Sequence, residues 1–144
     1  MNNIELLKSL TQNTYDSVEG YRLASEKTES PALRTAFERR LKSRRESLEK
    51  LNDALAKNGQ LPITKVSIAG EAHQTFLKIA DSLTEGDSAA LKRVSEGENY
   101  LATAFKKALE RDDIDTSMRM LLERVAHDVM TGDNFSELLE EQYA

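Results

Sequence analysis

The chain contains no cysteine, so disulfides, thiolate metal ligands and thiol nucleophiles are all excluded. It has 2 proline and 6 glycine residues in 144, few for a chain with many turns, and this favours long uninterrupted helices. Long apolar runs are also missing: none approaches the roughly 20 residues needed to span a bilayer. Nor is there an excess of basic charge. Lysine and arginine number 20 against 25 aspartate and glutamate, and a net charge of −5 is a poor basis for non-specific nucleic-acid binding. The polar start Met1-Asn2-Asn3 has no signal-peptide character. What is present is a globular mixture, 39% hydrophobic and 31% charged, of a length that suits a single domain over residues 1–144. These features predict a small, soluble, cytoplasmic protein that binds neither nucleic acid nor membrane.

Punctuation divides the chain into five helical segments. Over about residues 3–29, Ile4, Leu7, Val18 and Tyr21 recur at helical spacing. Ser30-Pro31 ends that segment and starts the next: serine caps, and proline is tolerated where its missing N–H has no partner. The second helix, about 31–57, aligns Leu33, Phe37, Leu41, Leu48, Leu51 and Leu55, and Asn58-Gly59 closes it. Gly59, Pro62 and the β-branched Ile63, Thr64 and Val66 form an extended linker. A shorter helix over about 67–84 carries Ala69, Ala72, Phe76, Ile79 and Leu83 on one stripe. Gly86-Asp87 then stops it and caps a fourth helix, about 88–111, with Leu91, Val94, Leu101, Phe105 and Ala108 aligned. The turn Asp112-Asp113-Ile114-Asp115 leads to the last helix, about 116–141, striped by Met118, Leu122, Val125 and Val129. Gly132 is expected to kink or fray it. Strand alternation is absent, and the fold class is all-α.

Helices of about 25 residues extend nearly 40 Å at 1.5 Å per residue. The first two are joined by almost nothing, as are the fourth and fifth, so each pair forms an antiparallel hairpin. The stretch between the pairs, about 59–86, holds a helix able to cross most of the bundle. Such a crossover makes the second and fourth helices parallel, giving an up-down-down-up bundle with one long connection. A plain five-helix up-and-down array is the competing topology.

Tyr21 within Glu19-Gly20-Tyr21-Arg22, Phe37-Glu38-Arg39-Arg40 followed by Arg44, Gly70 with His73, and Gly97-Glu98 recur in order along nearly the whole chain. In these residues the sequence resembles a ferritin-like four-helix-bundle family of bacterial proteins known only as a domain of unknown function. The resemblance implies a ferritin-like bundle and lends no reaction.

Ferritin-like di-iron proteins place one glutamate on each of two helices and a Glu-x-x-His on each of the others. Neither Glu-x-x-His occurs here; the second helix has Glu46-x-x-Glu49, and the last has Glu123 with His127 at i+4. Stepping roughly 100° per residue puts His127 about opposite its apolar line, Glu123 far to one side, and Glu19, Glu46 and Glu49 at flanks. Only Glu98 lies within its stripe, flanked by Leu91, Val94, Leu101 and Phe105.

On the second helix Arg44 occupies the middle of its stripe, between Phe37 and Leu41 and Leu48 and Leu51. In parallel helices Arg44 and Glu98 stand at the same height. A buried guanidinium and a buried carboxylate are each costly unless paired, so the expectation is an Arg44–Glu98 ion pair where a di-iron centre would lie. Tyr15, Tyr21, Thr11 and Thr14 are the expected partners for the remaining donors and acceptors.

Arg34, Arg39, Arg40, Lys42, Arg44 and Arg45 form a basic cluster without interleaved aromatics, which suits a solvated, ion-paired helix surface. No phosphate loop, nucleophile elbow or HExxH motif is present. Leu6, Leu10 and Ala24 on the first helix, with Met120, His127 and Met130 on the last, lie off the main stripes. A second apolar edge needs a second partner, so a homodimer is expected. Two functions fit these features. The first is a non-enzymatic, cofactor-free bundle with a stress-associated or protein-interaction role and an unidentified protein partner. The second is a divergent di-iron or other metal-binding protein with oxidase or iron-handling activity, its ligands drawn from Glu19, Glu49, Glu98, Glu123 and His127.

Overall fold

Three of the four long helices begin where a side chain takes up amide groups that the helix itself leaves unpaired. Asn2 accepts from the Glu5 amide at 2.8 Å while the Glu5 carboxylate accepts from the Asn2 amide at 3.1 Å, a reciprocal box. Ser30 accepts from the Leu33 amide at 3.3 Å ahead of Pro31, and Asp115 accepts from the Met118 amide at 2.8 Å. The computed structural model describes residues 1–143. Over these the chain is all-α, with five helices and no strand: α1 (Asn3–Lys27), α2 (Pro31–Lys57), α3 (Gly70–Ser82), α4 (Asp87–Leu109) and α5 (Thr116–Tyr143). No described helix is long and apolar enough to cross a membrane.

Three local expectations are corrected. α3 has 13 residues and begins at Gly70, not Ser67. The Ser67 amide and hydroxyl both donate to buried Asp16 on α1, and Gly70 takes φ of +89°, so the chain stays out of helix up to that point. Asp87 is the first residue of α4 rather than its cap. Its two carboxylate oxygens accept from the Glu29 and Ser30 amides at 2.9 and 2.8 Å, clamping the α1–α2 turn. Gly132 neither kinks nor ends α5, which runs unbroken to Tyr143.

The helix ends fix the directions. Asn3 at the start of α1 donates to the Asp113 carbonyl in the α4–α5 turn, and Arg111 donates to the Met1 carbonyl. At the opposite end Asp87 holds the α1–α2 turn, and Ser30 meets Tyr143 at 3.3 Å. Hence α1 and α5 start together, and α2 and α4 run the other way. α1 packs on α2 and α4, α5 packs on the same two, and the pairs α1/α5 and α2/α4 lie on diagonals. α3 covers the α1–α4 face, where Ile79 seats on Gly20 and Gly97; a Cβ added at either glycine would lie 3.2 Å from its Cδ1. The linker before α3 is strapped down by Asn52, which exchanges hydrogen bonds with the backbone of Ile63, and by Gln12, which donates to the Lys65 carbonyl.

The apolar interior is split in two. One cluster, with Leu7, Leu10, Leu55, Phe105, Met118 and Leu122, fills the end where α1 begins. The other, with Tyr21, Leu33, Phe37, Ile79, Leu91 and Val94, fills the end where α1 finishes. Leu6, Leu10 and Ala24 are buried within these clusters, so the second apolar edge of α1 is covered by its own chain. Met120 stays exposed on α5, as do Phe135 and Leu138. Between the clusters lies a layer of buried polar side chains.

Candidate functional site

That layer is built around Arg44, the largest fully buried side chain, at 0% exposure. Its guanidinium reaches across the α2–α4 diagonal to Glu98, with Nη1 donating to Oε1 at 2.6 Å and Nη2 to Oε2 at 2.8 Å. This forked pairing is the strongest geometry available to an arginine and a carboxylate. Nη1 also donates to the Ser17 hydroxyl at 2.5 Å, and Nε donates to Asp128 Oδ2 at 3.0 Å. The guanidinium carbon lies 5.5 Å from the centroid of the Tyr21 ring.

Asp128 makes the pair a network. Its Oδ1 accepts from Arg40 and from the Ser43 hydroxyl, and its Oδ2 accepts from Arg44 and from the Ser47 hydroxyl at 2.8 Å. Arg40, Ser43, Arg44 and Ser47 stand at i, i+3, i+4 and i+7 on α2, so one helix face delivers all four donors. Two guanidinium and two carboxylate groups balance, which is the condition under which charges tolerate a dry interior. The room comes from Gly132: a Cβ there would stand 2.0 Å from Glu98 Oε2 and 2.8 Å from Arg44 Nη2.

The electrostatics follow the contacts. Burial pushes the Asp128 carboxyl up, but Arg44, the hydroxyls of Ser43 and Ser47, and Arg40 outweigh it and hold the carboxyl below its ordinary value. Burial and the Glu98 charge raise the Tyr21 hydroxyl well above the usual tyrosine value. That hydroxyl has no hydrogen-bond partner among the described residues, and Tyr21, with Ser17, Glu98 and Tyr100, borders a recess of about 30 Å³ beneath α3. Asp133 is 7% exposed, and burial, then Glu137 and Glu98, raise its carboxyl.

A pH experiment isolates the Asp128 contribution. Because its folded value is depressed, Asp128 binds protons more readily in the unfolded chain. The stability it supplies is present above the ordinary carboxylate value of about 4 and is lost as pH falls through the folded value. The cost of Asp128→Asn, measured by urea unfolding, is therefore expected to be large at pH 7 and to shrink steadily below about pH 4. A cost independent of pH would contradict the ion network.

Of the residues singled out in sequence, the structure brings together Arg44, Glu98 and Tyr21. Tyr15 is half-buried and makes no hydrogen bond to the network; Ser17 contacts Arg44 instead. Ser17 is one turn before Tyr21, whereas Tyr15 lies about 120° round the helix from it. Thr11 and Thr14 are fully buried, yet their hydroxyls donate to the Leu7 and Leu10 carbonyls of α1 itself. Arg40 and Arg44 leave the basic cluster for the interior, while Arg34, Arg39, Lys42 and Arg45 are exposed.

The alternative ligand set is not assembled. Glu19 pairs with Arg22 at 2.9 Å, and Glu49, Glu123 and His127 are exposed, leaving Glu98 alone inside. Among the described residues no three histidine, aspartate or glutamate side chains group so as to hold a metal ion. Asp128, Ser43, Ser47 and Ser17 complete the site without having stood out in sequence.

This arrangement defines an all-helical domain whose interior polar layer is centred on two arginines paired with two carboxylates. The chain belongs to the family described as a domain of unknown function, DUF2383, which matches residues 2–111. No curated protein and no solved structure matches it.

Proposed function

We propose that this protein is a ferritin-like bundle, up-down-down-up with α3 in the crossover, whose ion network occupies the position of a di-metal centre. It acts without catalysis or cofactor, as an accessory protein working through protein contacts. The observation that carries this reading is the state of the two central carboxylates. Both oxygens of Glu98 and both of Asp128 accept from guanidinium groups. A cation fixed at that point repels a divalent ion and consumes the lone pairs that would bind it. Fold alone dictates no function, so the proposal rests on this site. The surface we assign to contacts is the outer side of α5, where Met120, Phe135 and Leu138 are exposed, and a homodimer through this side belongs to the same proposal.

One purified sample, prepared without chelators, tests both parts. Metal analysis is expected to find about zero iron per chain with no ferrous-ion oxidation, and light scattering to give twice the 16.2 kDa chain mass. About two iron ions per chain, lost in Glu98→Ala, would overturn the metal-free reading. A monomer mass would remove the dimer.

A further inference from the structure

A second recess lies at the end of the molecule where α1 and α5 begin and α2 finishes, away from the ion network. It is a groove of about 520 Å³, within the roughly 300–1,000 Å³ range of small-molecule sites. Its floor is apolar, made by Ile4 and Leu7 of α1, Ala54 of α2, and Met118 and Leu121 of α5. Leu7 and Met118 belong to the buried interior, with Ala54 and Leu121 packed on them, so the floor is held in place by the core.

The rim is cationic. Lys50 and Lys57 are seven residues apart on one face of α2, and Arg124 faces the groove from α5. All three are exposed, and none takes part in an ion pair among the described residues. Two acids share the rim, Asp53 between the lysines and Asp115, whose carboxylate caps α5. With Lys50, Lys57 and Arg124 against Asp53 and Asp115, the rim carries a net charge of about +1 in a chain whose net charge is −5.

We infer that this groove binds a small amphipathic anion, its acidic head between Lys50, Lys57 and Arg124 and its apolar body on the α1–α2–α5 floor. The charge of the rim selects the head, and the floor supplies apolar burial. A cation gains nothing from such a rim, and a polar anion lacking an apolar body would leave the floor wet. The inference is independent of the function proposed above.

The test uses 8-anilinonaphthalene-1-sulfonate, an aromatic sulfonate, titrated by fluorescence into the native full chain at neutral pH, with decanoate as competitor. Saturable one-site binding is expected, displaced by decanoate and weakened at least about tenfold in Lys57→Glu/Arg124→Glu. Lys92→Glu, an exposed charge on α4, should leave the affinity unchanged. Near-UV circular dichroism confirms that each variant is folded, and if the double variant is not, wild-type binding must still weaken as salt is raised. Two-dimensional NMR with decanoate should shift residues 4, 7, 54, 118 and 121. Binding that does not saturate, that is indifferent to both charge reversal and salt, or that maps elsewhere overturns the inference.

Discussion

Replacing Arg44 by methionine is expected to cost about 3–5 kcal/mol of folding stability. The substitution removes no exposed charge and opens little space, since the methionine fills part of the guanidinium stem's volume. Its effect is to strand Glu98, at 2% exposure, without the two charge-assisted bonds at 2.6 and 2.8 Å that now satisfy it. Asp128 suffers less, because Arg40, Ser43 and Ser47 remain as donors. The double variant Arg44→Met/Glu98→Met should therefore recover most of the loss, because an apolar pair replaces both desolvated ions. Urea unfolding of the two variants beside wild type checks both statements. A single-variant cost under about 1 kcal/mol would mean that Glu98 finds water when Arg44 is gone.

Gly132→Ala offers a test of sign. Within a helix interior, alanine is better than glycine by about 0.5–1 kcal/mol, and Gly132 has no left-handed backbone to protect. Local preference alone therefore calls for a gain. The added methyl, however, would lie 2.0 Å from Glu98 Oε2 and 2.8 Å from Arg44 Nη2, far inside contact distance. The ion pair must shift off its forked geometry or α5 must move outward. Either way a net loss of about 2–4 kcal/mol is expected, with the tertiary clash outweighing the helical preference. Gly97→Ala is the control: its methyl meets the end of Ile79 at 3.2 Å, which a rotamer change relieves at far smaller cost. Stabilisation of Gly132→Ala in thermal unfolding would show that the centre is looser than the distances state.

The helices are legible in sequence because their signals are local. Ser30-Pro31, Asn58-Gly59 and the apolar stripes need no knowledge of what packs where. Arg44 and Glu98 are legible for a related reason: a charge in the middle of an apolar stripe stands out against leucine and phenylalanine. Asp128, Ser43, Ser47 and Arg40 do not stand out, because each lies on the flank of its stripe. Flank positions face solvent on an isolated helix and face a neighbour in a bundle, and periodicity does not distinguish the two. Gly132 hides for a different reason. A glycine in a helix suggests a break, while its use here depends on two side chains 34 and 88 residues away, Glu98 and Arg44. The late start of α3 is set in the same long-range way, by Asp16 holding Ser67 fifty-one positions along the chain.

The boundary of the recognised family and the boundary of electrical neutrality do not coincide. The family match stops at residue 111, ahead of α5. Inside that span Arg40 and Arg44 face a single central acid, and the second acid is carried by the part of the chain beyond it. Counted as charges rather than as aligned residues, the physical unit closes only with its fifth helix.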